Sequence, residues 1–419
     1  MVPGKWTDVT LLPDAKRLAE LGTLDPALLY VFVSGPGVGE GVAIAFPGTG
    51  WLFVDGCKTR GAFPLQELLK KFSRSASDKL VGMVLTHPHQ DHAWGVADAL
   101  ERLSPPWVGV TGADSDKPSI AHEYEALAKK ADPRVTSNEL RSGVVRTAIR
   151  ALLDLDHIRP GAVLRLHAGQ PLPVQHHRVS ITVQAPKKEL LEAFVKQLVQ
   201  KPDLVDAANE VSTVLEIEFG KCRIVLGADL PTTQGSTVVE TGWDEVMSRC
   251  PQLAAHHGLK LPHHGSAGAF HDKLCSPATD RRSWWLTPYN SSRLPRVADL
   301  DGLPRLLEQE PSVHLTALPA SKKLQQQVLH PGRVSLDQIG PNTTGTKTGI
   351  AFLDRAVVVG RPTEPGPLEP IWAAAFDGEG RMLGRWRGDV AFEIVAGTSI
   401  SNALSAVPTV PLGAHAPTA

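Results

Sequence analysis

Apolar residues run along the chain in short blocks, separated by clusters of glycine, proline and polar side chains. Leu29–Val33, Gly41–Phe46 and Trp51–Val54 are three such blocks, joined by Ser34-Gly-Pro-Gly-Val-Gly-Glu40 and Pro47-Gly-Thr-Gly50. Short apolar runs punctuated by turn residues predict consecutive antiparallel strands with tight turns. Glu40 stands where the third glycine of a dinucleotide fingerprint would have to be, so the first turn is read as a turn and not as a phosphate cradle. Helical spacing predicts a short helix over Asp14–Leu21 and another over Pro64–Phe72, where Leu65, Leu68, Leu69 and Phe72 share a face. Leu80–Leu85 is a strand-sized apolar run that leads into Thr86-His-Pro-His-Gln-Asp-His92, and Ala93–Leu103 then reads as helix.

Residues 112–160 carry helical periodicity and many charges, and are read as an inserted helical segment whose charges form a solvated face and whose role is left open, a lid over the site being one reading. Strands are expected at Ala162–Leu166, Val179–Gln184, Thr213–Glu218, Cys222–Leu226, Trp284–Leu286, Val313–Leu318 and Ile350–Val359. Helices are expected at Lys187–Gln200, Trp243–Leu253 and Leu300–Leu307, which completes an alternating αβ pattern. From Pro362 a hairpin, Ala373–Phe376 with Gly384–Ile394, precedes a polar tail read as flexible. The domain division expected is 1–361 for the core and 362–419 for this extension.

The composition changes this picture in three ways. With 43 Lys+Arg against 44 Asp+Glu, the net charge of −1 excludes a chain-wide basic field for polyanions. Four cysteines, Cys57, Cys222, Cys250 and Cys275, are spread without a CxxC pair, which favours reduced thiols and a cytoplasmic location over a disulfide framework. No apolar run approaches the ~20 residues that span a bilayer, so no membrane partner is expected. There is no Walker-A sequence and no GxSxG elbow.

The chemistry concentrates at His87, His89, Asp91 and His92. His87 and His89 are two apart, so an extended backbone points both rings to one side, while Asp91 and His92 follow as the chain turns into a helix. One loop can therefore serve two neighbouring cations, and imidazole plus carboxylate suits Zn²⁺, Mn²⁺ or Fe. Helix capping explains one of these residues, Asp91, but not three histidines.

This His-x-His-x-Asp-His segment after a strand resembles the signature of the metallo-β-lactamase superfamily. More narrowly, the chain resembles the hydrolase domain of ComEC/Rec2-type proteins: Tyr30–Gly56 is similar to that family's opening, Asn209-Glu-Val-Ser212 to its Asn-x-x-Ser segment, Asp229 to its bridging aspartate, and Leu259–Ser266 to its Lys-x-x-His-His-Gly-Ser segment. The resemblance spans roughly Leu28 to Val359. It implies a four-layer αββα sandwich, here an α/β fold with a helical insertion and a C-terminal extension.

It also implies a cofactor of two divalent metal ions, Zn or Mn, held by His87, His89, Asp91, His92, Asp229 and His264. Asp91 and His263 are the residues expected to take part in catalysis, with His263 facing an oxyanion or phosphate from an extended His263–His264 segment. Asp55, Asn209, Ser212 and Ser266 are expected behind the ligands or against substrate. Ala228 stands where the family usually has glycine, and Asn209 and Ser212 stand where many superfamily members place a further histidine. His256-His257 is a competing pair, and His167, His176 and His177 read as surface residues. The activity implied is metal-dependent hydrolysis of a phosphodiester, nucleic acid or nucleotide, by a metal-activated hydroxide. The alternatives are hydrolysis of another ester, lactone or thioester, and a metal-containing interaction module without turnover. A protein partner would use the C-terminal extension. Nucleic acid would need basic or aromatic contacts, for which Lys70, Lys71, Arg74, Arg281-Arg282, Lys322-Lys323, Trp94 and Trp284-Trp285 are the candidates.

Overall fold

The computed structural model describes residues 15–35, 39–48, 50–59, 61–74, 78–113, 119–130, 138, 142–233, 240–276, 282–289, 292, 294–296, 302–310, 312–317, 333–335, 367–389 and 391–395. Two sheets face each other. The first is built from β1 (Lys16–Arg17), β2 (Leu29–Ser34), β3 (Glu40–Ala45), β4 (Trp51–Gly56), β5 (Leu80–Leu85), β6 (Val108–Thr111) and β7 (Val163–Leu166). The second contains β8 (Val179–Ala185), β9 (Val214–Phe219), β10 (Cys222–Leu226), β11 (Gly258–Lys260), β12 (Ser283–Leu286), β13 (Ser312–Leu315) and β14 (Arg333–Ser335). β15 (Ile371–Phe376) and β16 (Met382–Arg387) join the first sheet, and β17 (Phe392–Val395) joins the second.

Eight helices lie outside the sheets among the described residues: α1 (Pro64–Phe72), α2 (Gln90–Ala93), α3 (Val96–Leu103), α4 (Ile120–Lys130), α5 (Gly143–Ile158), α6 (Lys188–Gln200), α7 (Gly242–Arg249) and α8 (Leu303–Gln309). The strands are apolar throughout because both faces of each sheet are covered. In β2, Leu29, Val31 and Val33 pack between the sheets against Ile181, Ile217 and Ile224, while Tyr30 and Phe32 pack on the opposite side with α1, α3 and α5. In the second sheet, Val225, Leu259, Trp284 and Leu315 face outward onto α7 and α8. Three apolar layers thus separate four layers of structure, the αββα sandwich expected from the motifs.

Three expectations need correction. Over Asp14–Leu21 only a 3₁₀ turn at Leu18–Glu20 forms, because Lys16 and Arg17 are drawn into an edge pairing with Trp386 and Arg387; Asp14 lies outside the described residues. The described helices of the 112–160 insertion are part of the core and not an addition to it. Tyr124, Leu127, Val145, Ile149 and Leu152 are buried in the helical layer over the first sheet; residues 114–118 and 131–137 are outside the described set. The C-terminal hairpin forms only in part, since β15 pairs with β16 to Arg387 while Phe392–Ile394 of the expected second strand lie in β17 of the other sheet, and it is no appendage. β15 pairs with β2, and β17 pairs with β13. The strand expected at Ile350–Val359, the 361/362 boundary and the polar tail lie outside the described residues. No helix among the described residues is long and apolar enough to cross a membrane, and the four cysteines are free and buried.

Candidate metal centre

β4, β5 and β6 run parallel in the first sheet, and β10, β11 and β12 run parallel in the second. Their carboxyl ends are where open αβ sheets gather ligands. Asp55 lies at the end of β4, His87–His92 follow β5, Asp229 follows β10, His263 and His264 follow β11, and Thr287 follows β12.

The His87–His92 loop behaves as its spacing predicts. His89 is extended and α2 begins at Gln90. The rings of His87 and His89 meet at 4.6 Å between centroids, and those of His87 and His92 at 4.1 Å. Asp91 and His92 are buried and turn toward the second sheet, where His92 Nε2 lies 3.4 Å from Asp229 Oδ1 and 3.9 Å from Asp91 Oδ2. His264 Nε2 lies 3.1 Å from Asp91 Oδ2 and 3.6 Å from Asp229 Oδ2. Four donors from two sheets therefore surround one point, with separations close to the ~3.3 Å edge of a tetrahedron of zinc ligands.

The far nitrogens of these rings decide what the near ones can do. His264 Nδ1 sits 2.8 Å from the carbonyl oxygen of Thr287, which can only accept, so Nδ1 carries the hydrogen. His92 Nδ1 donates to Asp55 Oδ2 at 2.8 Å. Asp55 also accepts from the Thr86 amide and hydroxyl, both at 2.7 Å. With its hydrogen given to Asp55, the Thr86 hydroxyl accepts from His87 Nδ1 at 3.1 Å. In its neutral form each ring aims a lone pair from Nε2 at its neighbours, and His87 Nε2, His92 Nε2 and Asp229 Oδ1 are buried without a hydrogen-bond partner. Lone pairs and carboxylates converging in a dry space call for a cation. Burial opposes charge on His92, yet Asp229, Asp55, Asp91 and Glu40 together hold its pKa well above the ordinary imidazole value. Burial drives His87 the other way, well below it. The donor set fits divalent metal.

His263 and His264 are not extended. Both are left-handed, at φ 44° and 52°. The bend sends His264 into the cluster, with its side chain 1% exposed, and leaves His263 31% exposed. His263 is anchored by Ser266 Oγ at 2.9 Å from Nδ1, meets the Asn209 amide at 3.2 Å from Nε2, and stands 4.0 Å from Asp229. Asn209 Oδ1 and Ser212 Oγ are buried without a partner. Ser212 precedes Thr213, whose amide bonds the carbonyl of Thr86, so it lies beside the metal loop.

Four of the five described non-glycine residues with positive φ, Asp55, Ala228, His263 and His264, are in this site. Such backbone costs roughly 1–2 kcal/mol per L-residue and gathers at functional sites. At Ala228 nothing in the side chain recovers that cost. Ala228→Gly is expected to stabilise the fold by about 1 kcal/mol, read as a higher urea midpoint at unchanged slope, while leaving metal content unchanged.

The competing pair is structural. His256 donates from Nδ1 to Leu253 and accepts Trp284 Nε1 at 3.0 Å, and burial lowers its pKa to about 3. His167, His176 and His177 are half-buried or exposed, none of them in the cluster.

Sequence reasoning gave no role to Glu40, Thr287 and Tyr289, and named Lys260 only as the first residue of the Lys-x-x-His-His-Gly-Ser segment. Glu40 lies with His92, Asp229 and His264 in a group whose potential ligand atoms are all within 4.8 Å, but on the Nδ1 side of both rings. Its carboxylate already holds Lys260 and Thr287, each at 2.6 Å. Tyr289 stacks on His264 at 5.1 Å. A single acidic residue bordering an apolar strand was the only signal for Glu40, whereas Lys260 was marked by its place in the Lys-x-x-His-His-Gly-Ser segment but not by any role.

Residues 56–186 match the family model described as the metallo-beta-lactamase superfamily. No curated protein matches the chain in sequence. Among solved structures it is similar to AidC, a dizinc quorum-quenching lactonase in complex with a product, at 15% identity over 45% of this chain and 55% of that one, with a TM-score of 0.26. It is similar to the metallo-beta-lactamase fold protein YhfI from Bacillus subtilis at 15% identity, over 55% of this chain and 69% of that one, with a TM-score of 0.26. It is also similar to Zn(2+)-bound PqqB from Methylobacterium extorquens at 11% identity, over 57% and 73% of the two chains, with a TM-score of 0.29. The chain thus spans little more than half of the lactonase's length.

Proposed function

We propose that the chain, whose residues 56–186 match the metallo-beta-lactamase superfamily model, is a metal-dependent hydrolase of small or short phosphodiesters. His87, His89 and Asp229 would hold one divalent ion, and Asp91, His92, Asp229 and His264 a second. Such ions supply Lewis acidity and make water nucleophilic near neutral pH. The observation that carries the reading is the pair of buried Nε2 atoms of His87 and His92 without hydrogen-bond partners, that of His92 lying 3.4 Å from Asp229 Oδ1, with a half-exposed His263 at the margin. His263, held by Ser266 and Asn209, is the group placed to meet a phosphoryl oxygen as a hydrogen-bonding partner. Asp55 and Thr287 keep the ligating rings in the tautomer that presents Nε2.

Small substrates are favoured because several of the described candidates for gripping a long polyanion are buried or engaged elsewhere. Trp284 and Trp285 are fully buried and cannot stack on bases. Arg74 is bound to the carbonyls of Phe46 and Gly48, and Lys70 to Glu67. Trp94, with Lys58 over its ring, is partly open beside the loop; Arg281, Lys322 and Lys323 lie outside the described residues. The test is a panel with the Zn²⁺- or Mn²⁺-loaded protein on bis-p-nitrophenyl phosphate, dinucleotides, duplex DNA, lactones and thioesters. Turnover of the small phosphodiesters is expected. Turnover confined to lactones or thioesters, or full metal loading with no turnover at all, overturns the proposal.

A further inference from the structure

We infer that the buried ion pair of Glu40 and Lys260 is a positioning clamp that sets the distance between the two halves of the metal centre. The inference rests on the metal-holding part of the proposed function, not on the identity of the substrate.

The donors come from opposite sheets. Asp91 and His92 follow β5 of the first sheet, whereas Asp229 and His264 follow β10 and β11 of the second. Nothing in one sheet alone fixes how far its donors stand from those of the other. Glu40 begins β3 and pairs with Gly56, next to Asp55. Lys260 ends β11, beside Leu226 and Trp285. Their 2.6 Å contact therefore crosses from sheet to sheet, with the lysine and glutamate side chains almost wholly buried at 1% and 3% exposure.

The clamp also reaches the ligands themselves. Glu40 Oε2 accepts from the Thr287 hydroxyl at 2.6 Å and lies 3.4 Å from His264 Nδ1, while Oε1 lies 3.9 Å from His92 Nδ1. Lys260 spends another hydrogen on the carbonyl of Leu261 at 3.0 Å, just ahead of the His263–His264 turn. Next to Glu40, Gly39 runs close against the His87–His92 loop, where a Cβ would come within 2.8 Å of the carbonyl oxygen of Asp91. Lys260 is the one buried lysine among the described residues. A buried ion pair is a poor source of stability, since its desolvation offsets its attraction, and an apolar pair would pack as well. Its best-attested use is to specify geometry, and here the geometry specified is that of four converging donors.

The experiment compares the full chain with Glu40→Gln, Lys260→Met, the double variant, and His92→Ala as a control. Zn²⁺ affinity is measured by competition with a chromophoric chelator, the Co²⁺ absorption spectrum reports ligand geometry, and thermal melting is followed in chelator. Each single variant is expected to lose stability and to bind Zn²⁺ roughly 10–100-fold more weakly. The double variant removes both charges, so it should recover the melting temperature while keeping the weaker affinity and an altered Co²⁺ spectrum. A double variant that recovers affinity and spectrum together with stability overturns the clamp, because the pair is then only charge compensation. Single variants that bind Zn²⁺ like the wild type overturn it too. A wild-type chain that takes up no metal overturns the metal centre itself and the clamp with it. Uptake by the wild type and loss in His92→Ala leaves the metal reading standing, whichever way the clamp falls.

Discussion

Asp229→Asn is expected to empty the metal centre while leaving the fold intact. The substitution keeps the shape of the side chain and removes the charge from the carboxylate that touches the most neighbours: His92 Nε2 at 3.4 Å, His264 Nε2 at 3.6 Å and His263 Nε2 at 4.0 Å. Burial works against ionisation of Asp229, yet His264 and His92 hold it well below the usual carboxylate range, so it is an anion at any working pH. An amide in its place offers one neutral oxygen and turns an N–H toward an imidazole lone pair or a missing cation. Loss of a group that merely supports a ligand costs about 10–100-fold in metal affinity. Loss of the carboxylate shared by both halves should exceed about 100-fold and bring hydrolytic activity down with it. Two further readouts check the assignment. Metal content after dialysis should fall from two ions per chain to less than one. Zn²⁺ at a hundred times the wild-type Kd, which stabilises a single-site protein by ~2.7 kcal/mol, should stabilise the variant by almost nothing. A variant that keeps both ions and its melting shift would remove Asp229 from the centre.

Why His87–His92 could be read from the chain while Glu40 and Lys260 could not is a matter of locality. Four donors within six positions, directly after an apolar strand, declare themselves because alternation and one helical turn are enough to aim them. Most elements of the sandwich are legible for the same reason: α1 at Pro64–Phe72 and β5 at Leu80–Leu85 occupy the ranges their patterns predict. Glu40 looks like an ordinary polar residue bordering an apolar strand, Lys260 is legible only as a motif position without a partner, and only the stacking of the two sheets brings them together. The left-handed His263–His264 turn is hidden because positive φ is uncommon for any residue but glycine, even for histidine, so an extended segment is the natural reading of Leu259–Ser266. The C-terminal strands are misjudged in the same way. A hairpin is a local object, but its place beside β2, and that of β17 beside β13, depends on partners more than 300 and about 80 residues earlier in the chain.

Asp55 is expected to separate folding from metal binding more sharply than any other position. It sits at φ 56° at the end of β4, and its carboxylate receives three hydrogens: the Thr86 amide, the Thr86 hydroxyl and His92 Nδ1. Through His92 it faces one half of the centre, and through the Thr86 hydroxyl it governs His87 in the other. Asp55→Ala strands three buried donors, each worth about 1–3 kcal/mol when unsatisfied. Its loss should be on the order of 3–5 kcal/mol, visible as a collapse of the denaturant midpoint. Asp55→Asn is the more informative change. One oxygen can still accept the Thr86 amide, but the new NH₂ faces two groups that were donors. His92 must then move its hydrogen to Nε2, where it points at Asp91 and Asp229 and cancels the lone pair a cation needs. The Thr86 hydroxyl must turn to accept from the new amide, and His87 Nδ1 must share the same oxygen. The fold should lose little, because every partner can find a compromise, while Zn²⁺ affinity should drop ~10–100-fold. Chelator competition and urea titration on the same preparations read the two effects separately. An Asp55→Asn variant that binds Zn²⁺ as tightly as the wild type would mean that the imidazole tautomers are set elsewhere.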